Sequence, residues 1–132
     1  MLLGIDFGIS NTDLAISDKS KILFHTSPSQ SSKIDADILK NILKQHEIDI
    51  SSIEKIGVTG GKSSDLDNSI DGIKIVKINE IEAIGLGAKK LYNINDESTI
   101  VISAGTGTAC VHIQGNNFNH LGGIAVGGGM LE

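Results

Sequence analysis

The spacing of apolar residues changes several times up to residue 92, and each change predicts a new element. Short apolar runs broken by polar turns predict strands, whereas Ile34, Ile38 and Ile42 recur at helical spacing. Asn79 is a suitable N-cap for a second helix. The predicted elements are strands at 2–7, 14–17 and 21–25, a helix at 34–45, strands at 53–59 and 73–78, and a helix at 80–91.

The pattern restarts after the polar segment 93–98. Strands are predicted at 99–103 and 109–114, with a third near 118–122, and no helical stripe follows them. Because a sheet without helices cannot cover its apolar faces, we expect residues 1–94 to form one domain and residues 95–132 to form the incomplete start of a second. The chain is therefore expected to be the front half of a longer protein.

One strand-turn-strand pattern occurs twice, at residues 5–16 and 102–113. Each copy passes from an apolar strand into a turn of glycine and small polar residues. Backbone N–H groups and hydroxyls in such turns can bind phosphate oxygens. The repeat therefore predicts a duplicated fold whose two loops face each other across a cleft and hold a polyphosphate. The loop residues are Gly8, Ser10, Asn11 and Thr12 in the first copy and Gly105, Thr106, Gly107 and Thr108 in the second.

Each loop also has an ordinary structural interpretation. Asp6 could hold Mg²⁺, usually through water, or could merely accept hydrogen bonds within a tight turn. Gly105 and Gly107 could expose N–H groups to phosphate, or could supply the positive φ angles of a hairpin. The occurrence of a second copy favours the phosphate interpretation for both loops.

Other polar residues are candidates for chemistry. Glu80 and Glu82 begin a helix, where a carboxylate could take a proton from a substrate hydroxyl. Acidic residues are also common there because they interact favourably with the helix dipole, and from the residues alone this explanation is preferred for both. Lys62 follows Gly60 and Gly61 at a strand end. It could contact an anionic substrate or lie in solvent, and the sequence favours neither.

Composition narrows the possible partners. The 132 residues carry a net charge of −5 and only 3% are aromatic, whereas nucleic acids select clustered basic and stacking aromatic residues. The single cysteine, Cys110, excludes an internal disulfide or a cluster of cysteine ligands. No apolar run approaches the roughly 20 residues of a membrane span. We therefore expect a cytoplasmic protein that binds neither nucleic acid nor membrane.

Five segments occur in the order and spacing of a known family. They are GIDFG from Gly4, VTGG from Val58, NEIEAIGLG from Asn79, GTGT from Gly105 and HLGGIAVGGGM from His120. Through them the chain resembles the type II pantothenate kinases, a branch of the actin, sugar kinase and Hsp70 ATPase superfamily. The resemblance implies an α/β fold, with a ribonuclease H-like (actin-like ATPase) domain followed by the opening hairpins of a second copy. It also implies transfer of the γ-phosphate of ATP to the primary hydroxyl of pantothenate, the first step of coenzyme A synthesis.

The resemblance also assigns roles to residues. Glu80 matches the family's general base, which reverses the interpretation drawn from the residues alone, and Asp6 matches the carboxylate associated with Mg²⁺. Ser10 matches the hydroxyl of the first loop, and residues 105–108 match the second phosphate loop. Family members form dimers, so a homodimer is expected for the full-length protein. The other implied contacts are Gly127, Gly128 and Gly129, which lead into the helix that helps enclose the nucleotide, and His120, Gly122 and Gly123 for the small-molecule substrate. Gly60 and Gly61, at the end of their strand, could form part of the substrate wall.

The sequence departs from the family in two places. In the first loop Ile9 replaces a glycine and Asp13 replaces a lysine, which puts a negative charge near the expected phosphates. This change weakens ATP binding unless Asp13 points away or Lys62 compensates. His120 stands where many members carry an arginine that contacts the substrate carboxylate.

Two alternative functions remain open. An ATPase that activates a radical dehydratase needs cysteines for an iron–sulfur cluster, and Cys110 alone argues against it unless two chains share one cluster. A nucleotide-binding module without chemistry is compatible with Asp13 and with the missing second half. Because the helices that close over adenine are absent, the 132-residue chain is expected to be a poor catalyst.

Overall fold

The computed structural model describes residues 1–30, 33–95 and 97–128. The chain divides into two compact units, Met1–Ile78 and Asn79–Glu132. Each unit contains its own β-sheet. None of the helices in the described ranges is both long enough and apolar enough to cross a membrane.

The first unit combines strands with one long helix and two 3₁₀ turns in its described residues. The elements are β1 (Leu2–Phe7), β2 (Asn11–Asp18), β3 (Lys21–Pro28), α1 (Ala36–Gln45), a 3₁₀ turn (Ile50–Ser52), β4 (Lys55–Thr59), a second 3₁₀ turn (Ser63–Asp65), β5 (Ser69–Ile70) and β6 (Ile73–Lys77). The strands form one sheet in the order β3-β2-β1-β4-β6-β5. β1 pairs antiparallel with β2 and parallel with β4, so the sheet is mixed.

The core of the first unit lies on one face of this sheet. Leu3, Ile5 and Phe7 alternate along β1 with more exposed residues and are at most 3% exposed. Leu39 and Ile42 of α1 belong to the same buried cluster. Alternation of this kind is typical of a strand with one covered face, and the ends of β1 and β4 are thereby fixed by packing.

α1 begins at residue 36 instead of the predicted residue 34, because Asp35 caps it. The Asp35 carboxylate accepts a hydrogen bond from Ile38 N at 2.9 Å, which satisfies one free N–H of the first turn. Ile34 precedes the cap and is fully buried in the same cluster as Leu39. An apolar pair that flanks an N-cap in this way fixes the direction in which the chain enters the helix.

The second unit packs one helix on one sheet. Its elements are α2 (Glu80–Tyr92), β7 (Thr99–Ala104), β8 (Thr108–Gln114) and β9 (Asn117–Ile124). The strands are antiparallel in the order β7-β8-β9, and α2 contacts all three. A Cβ atom on Gly85 would overlap the Phe118 ring, so glycine allows α2 to lie close to β9.

The ends of α2 are set by two asparagines. Asn79 Oδ1 accepts a hydrogen bond from Glu82 N at 2.9 Å, so the predicted N-cap is confirmed. Asn93 adopts a left-handed conformation with φ of 53° and ends the helix. Both ends therefore follow from local sequence.

The predicted α/β fold class is confirmed, and the differences concern element bounds. β2 and β3 both extend further than their apolar residues indicate, and β3 includes Pro28. Proline is tolerated there because β3 is an edge strand. The two-residue strand β5 was not predicted. The domain boundary at 94/95 stays a prediction, although the packing groups α2 with the second sheet.

Leu39→Ala should destabilise the first unit by about 2–5 kcal/mol, because it leaves a cavity beneath a fully buried position. The measurement is urea unfolding of the purified chain followed by circular dichroism. Leu2→Ala is the matched control, since Leu2 is 51% exposed and its truncation should cost about 1 kcal/mol or less. Equal losses for the two variants would contradict the assignment of the core to the α1 face.

Candidate functional site

The first loop joins β1 to β2 in a tight connection. Phe7 pairs with Thr12 across the two strands, so only Gly8, Ile9, Ser10 and Asn11 lie between them. A Cβ atom on Gly8 would lie 2.8 Å from Asn11 O, closer than real side chains approach. Glycine at this position is therefore required by the turn itself.

The candidate side chains of this loop differ in their accessibility. Thr12 is 1% exposed and lies on the core face of β2, so its hydroxyl is covered by protein. Asp6 and Asn11 are exposed, and Ser10 is half-buried. A ligand outside the sheet can reach these three residues directly, whereas Thr12 can contribute only after movement.

The end of β3 holds the first loop in place. Ser29 N donates to Ser10 O at 3.1 Å, and Ser29 Oγ donates to Gly8 O at 3.1 Å. Lys62 Nζ in turn donates to Ser29 Oγ at 3.0 Å and to Gln30 O. Sequence reasoning missed Ser29 and Gln30, because no local pattern indicates that residues so distant along the chain meet at this loop.

Gly60 is fitted tightly against the end of β1. It has φ of 88°, and a Cβ atom there would overlap Phe7 O and lie 2.7 Å from Asp6 Oδ1. Ser63 Oγ donates to Gly60 O at 2.8 Å and fixes the turn. Gly61 has open space around it. Of the two predicted substrate glycines, Gly60 thus lies against the Asp6 carboxylate and Gly61 is unconstrained.

Asp13 lies beside Asp6. The two residues are directly opposite in the β1–β2 register and therefore project on the same face of the sheet. Asp13 Oδ1 accepts a hydrogen bond from Thr26 Oγ1 at 2.7 Å, which ties its carboxylate to β3. The negative charge that replaces the family's lysine is therefore on the same face of the sheet as Asp6, with its carboxylate bonded to β3.

The side chains around Asp6 carry oxygen atoms of the kind that ligate Mg²⁺. Mg²⁺ binds carboxylates and keeps several waters, commonly with one or two protein carboxylates. Asp6 is exposed at the strand end, and Asp13 lies opposite. The hydroxyl oxygen of Thr59, next to Asp6 across the β1–β4 pair, is buried without a hydrogen-bond partner in the described residues. No group of three or more acidic, histidine or cysteine side chains in the described part could hold a metal alone, so any Mg²⁺ here needs phosphate or water ligands as well.

The second loop is held by backbone contacts with the segment after β9. Gly128 N donates to Gly105 O at 2.7 Å, and Thr108 Oγ1 donates to Val126 O at 2.7 Å. Within the loop, Gly105 N donates to Gly107 O at 2.8 Å. The predicted nucleotide residues 105–108 and 127–128 therefore form one structure, while Gly129 lies outside the described residues.

None of the described glycines in or beside the second loop has positive φ, and Gly107, Gly123 and Gly127 lie against other backbone segments, whereas Gly105 has open space around it. Among the described glycines, positive φ occurs at Gly60, Gly72 and Gly115 only. A Cβ atom on Gly127 would lie 2.8 Å from Gly107 O, and one on Gly123 would lie 2.7 Å from Thr108 O. The hairpin explanation based on positive φ therefore does not account for these residues.

The two acidic residues at the start of α2 differ in their contacts. Glu82 accepts a hydrogen bond from Asn79 Nδ2 at 3.3 Å, which completes a reciprocal N-terminal cap. The exposed carboxylate of Glu80 has no hydrogen bond or ion pair within the described residues. Glu82 thus has a structural role, and Glu80 is available for chemistry.

His120 and the neighbouring glycines lie on β9. His120 is exposed and pairs with Val111 next to a β-bulge in the β8–β9 ladder. Its Nε2 lies 3.3 Å from where a Cβ on Gly123 would be. Gly122 and Gly123 are also exposed, so this predicted substrate group forms one accessible stretch of strand.

The sequence is similar to curated type II pantothenate kinases. It is 32% identical to the one from Bacillus anthracis over 136 residues, which cover 98% of this chain and 46% of that relative. It is 30% identical to one from Bacillus cereus, with the same coverage of both chains. The predicted resemblance is confirmed. The chain spans 46% of the length of these relatives, and no protein-family model matches it.

Solved structures share the fold at lower identity. A putative N-acetylglucosamine kinase from Porphyromonas gingivalis has a TM-score of 0.64 at 20% identity, covering 95% of this chain and 48% of that chain. An activator of 2-hydroxyisocaproyl-CoA dehydratase from Clostridium difficile, with bound ADPNP, has a TM-score of 0.63 at 20% identity, with 90% and 44% covered. At this identity the likeness concerns the fold alone, and it confirms the predicted actin-like α/β fold.

Gly60→Ala should lower the free energy of unfolding by about 2–4 kcal/mol, because a side chain at positive φ would also overlap Phe7 O. Gly61→Ala is the matched control, since open space surrounds Gly61 and its effect should stay within about 0.5 kcal/mol. Chemical unfolding of both variants measures the difference. A Gly60→Ala variant as stable as the control would show that this close approach does not exist in solution.

Proposed function

We propose that the chain belongs to an ATP-dependent kinase that phosphorylates the primary hydroxyl of pantothenate or a closely related compound. The similarity to pantothenate kinases over 98% of the chain carries this proposal. Two features of the structure support it: the backbone contacts that hold the second loop, and the Glu80 carboxylate, which has no hydrogen bond or ion pair within the described residues. The substrate contacts, the cytoplasmic location and the homodimer stay predictions.

The second loop is the proposed main phosphate contact of the chain. Residues 105–108 are bonded to the segment after β9: Gly128 N donates to Gly105 O, and Thr108 Oγ1 donates to Val126 O. A loop fixed before the ligand arrives loses little conformational freedom on binding, and this favours affinity. Hydroxyls and backbone N–H groups of such a loop suit the oxygens of a nucleotide phosphate.

Asp6 is the proposed contact for Mg²⁺, with Asp13 and Thr59 as neighbouring oxygen donors. When bound, Mg²⁺ would neutralise part of the phosphate charge. The contribution of the chain is a carboxylate held rigidly at a strand end. Gly60 packs against that carboxylate and limits its movement.

Glu80 is the proposed general base. Its carboxylate would accept the proton of the substrate hydroxyl as that oxygen attacks the γ-phosphate. The absence of a competing hydrogen bond in the described residues leaves both carboxylate oxygens available for this proton. Glu82, two residues further along α2, is occupied by the Asn79 cap.

His120, Gly122 and Gly123 are the proposed contacts for the carboxylate end of the substrate. An imidazole can donate one hydrogen bond to a carboxylate, whereas an arginine donates two in parallel. We therefore expect weaker binding of the substrate carboxylate than in relatives that carry arginine.

A nucleotide-binding module without chemistry is the second candidate function. Asp13 favours it, because its carboxylate lies opposite Asp6 and adds negative charge where phosphates would bind. The third candidate, an ATPase activator of a radical dehydratase, has less support, since Cys110 is the only cysteine of the chain.

Glu80→Gln should reduce γ-phosphate transfer to pantothenate by about 100-fold or more while leaving Mg·ATP affinity unchanged, because only the proton acceptor is lost. The assay is single-turnover transfer from γ-labelled ATP by the complete gene product, with binding measured by isothermal titration. Glu82→Gln is the matched control and should transfer phosphate like the unmodified chain, since glutamine can keep the bond to Asn79.

Transfer that is equal in the Glu80→Gln variant and the unmodified chain would contradict the assignment of the base. Binding of Mg·ATP without any pantothenate-dependent transfer would favour the nucleotide-binding module. Failure to bind Mg·ATP at all would contradict both.

A further inference from the structure

Lys62 contacts Ser29 and Gln30, the residues after β3 that support the first loop. It is half-buried, and its ammonium donates to Ser29 Oγ at 3.0 Å and to Gln30 O. Neither acceptor is a carboxylate. The ion pairs of the described residues are Met1 with Glu54 and Lys40 with Asp71, so no acidic side chain within these residues forms an ion pair with Lys62.

The Ser29 hydroxyl transmits this contact to the loop. It accepts a hydrogen bond from Lys62 Nζ and donates one to Gly8 O at 3.1 Å. The neighbouring backbone N–H of Ser29 donates to Ser10 O at 3.1 Å. Lys62 therefore fixes two carbonyl groups of the loop through a single intermediate residue.

Fixing these carbonyls also fixes the N–H groups of the loop. In a planar trans peptide the C=O of one residue and the N–H of the next point in opposite directions. The bond from Ser29 to Gly8 O therefore turns Ile9 N–H away from β3. This N–H forms no hydrogen bond within the described residues, and the Ile9 side chain is 81% exposed.

The position of Lys62 is itself fixed by the turn before it. Gly60 can approach β1 only because it lacks a side chain and adopts φ of 88°. Ser63 bonds back to Gly60 O through both its N and its Oγ. Lys62 lies within this fixed turn, so the start of its side chain is set relative to the end of β3, and placing the ammonium there costs only the ordering of that side chain.

We infer that Lys62 is a positioning residue that, through Ser29, presents the Ile9 N–H group to a phosphate oxygen and supplies the positive charge that Asp13 does not. The phosphate contact and the role of the charge rest on the proposed phosphate-binding function, whereas the positioning of the first loop by Lys62 and Ser29 does not. The ligand class is a polyphosphate, and the contact on the chain is a backbone donor whose orientation depends on two side chains. The first loop lacks a glycine and a lysine of the family pattern, and this arrangement still leaves it one aligned N–H donor.

The test uses backbone amide spectra of the 132-residue chain, first without ligand and then with inorganic triphosphate. Lys62→Met and, independently, Ser29→Ala should shift the amide signals of residues 8–10 in the free protein. In Lys62→Met, triphosphate affinity should fall about tenfold, because a positive charge near the phosphates and the alignment of one N–H donor are lost together. Lys62→Arg should restore most of this affinity, which a purely space-filling role for Lys62 would not predict. Lys74→Met, at an exposed lysine on β6, is the control and should change neither reading.

Unchanged loop signals in both Lys62→Met and Ser29→Ala would overturn the inference, whether or not a ligand binds. Shifted loop signals with undiminished triphosphate affinity would overturn the part that concerns charge. If the unmodified chain binds no triphosphate while the loop signals still shift in the variants, the proposed function fails and the positioning role of Lys62 stands.

Discussion

The two candidate loops depend on backbone segments that approach each other more closely than any side chain would allow. At Gly60 the approach is to the end of β1 and the Asp6 carboxylate, and at Gly127 it is to the second loop. Protein interiors are packed at the density of organic crystals, so such contacts cannot be loosened locally without moving whole elements. The precision of both loops therefore depends on positions where the residue has no side chain.

The loops reach this precision by different means. The second loop is held mainly by its own backbone, with Gly128 bonding to Gly105. The first is held by one backbone bond, from Ser29 N to Ser10 O, and by the side chains of Ser29 and Lys62. A backbone bond persists through most substitutions, whereas a side-chain bond is lost with a single one. A single substitution at Ser29 or Lys62 can therefore alter the geometry of the first loop, and with it the function of that loop.

Much of the fold could be predicted because its signals are local. Helical spacing identified α1, and Asn79 identified the start of α2. Glu80 and Glu82 could not be separated from the residues alone, since their difference depends on which carboxylate the Asn79 amide contacts. The Ser29 and Lys62 contacts were also beyond prediction, because they join residues far apart in sequence. The sequence shows that Asp13 reverses a charge of the family pattern. Its hydrogen bond to Thr26 could not be predicted without knowing the register of β2 and β3.

Pro28, the only proline of the chain, ends the edge strand β3 immediately before Ser29. An open strand edge is a template on which another chain can add a strand and begin to aggregate. Proline offers no N–H to an incoming strand, and the next residue directs its own N–H back to Ser10. The sheet edge is therefore blocked at the point where it borders the first loop, which protects that loop from being covered by a neighbouring molecule.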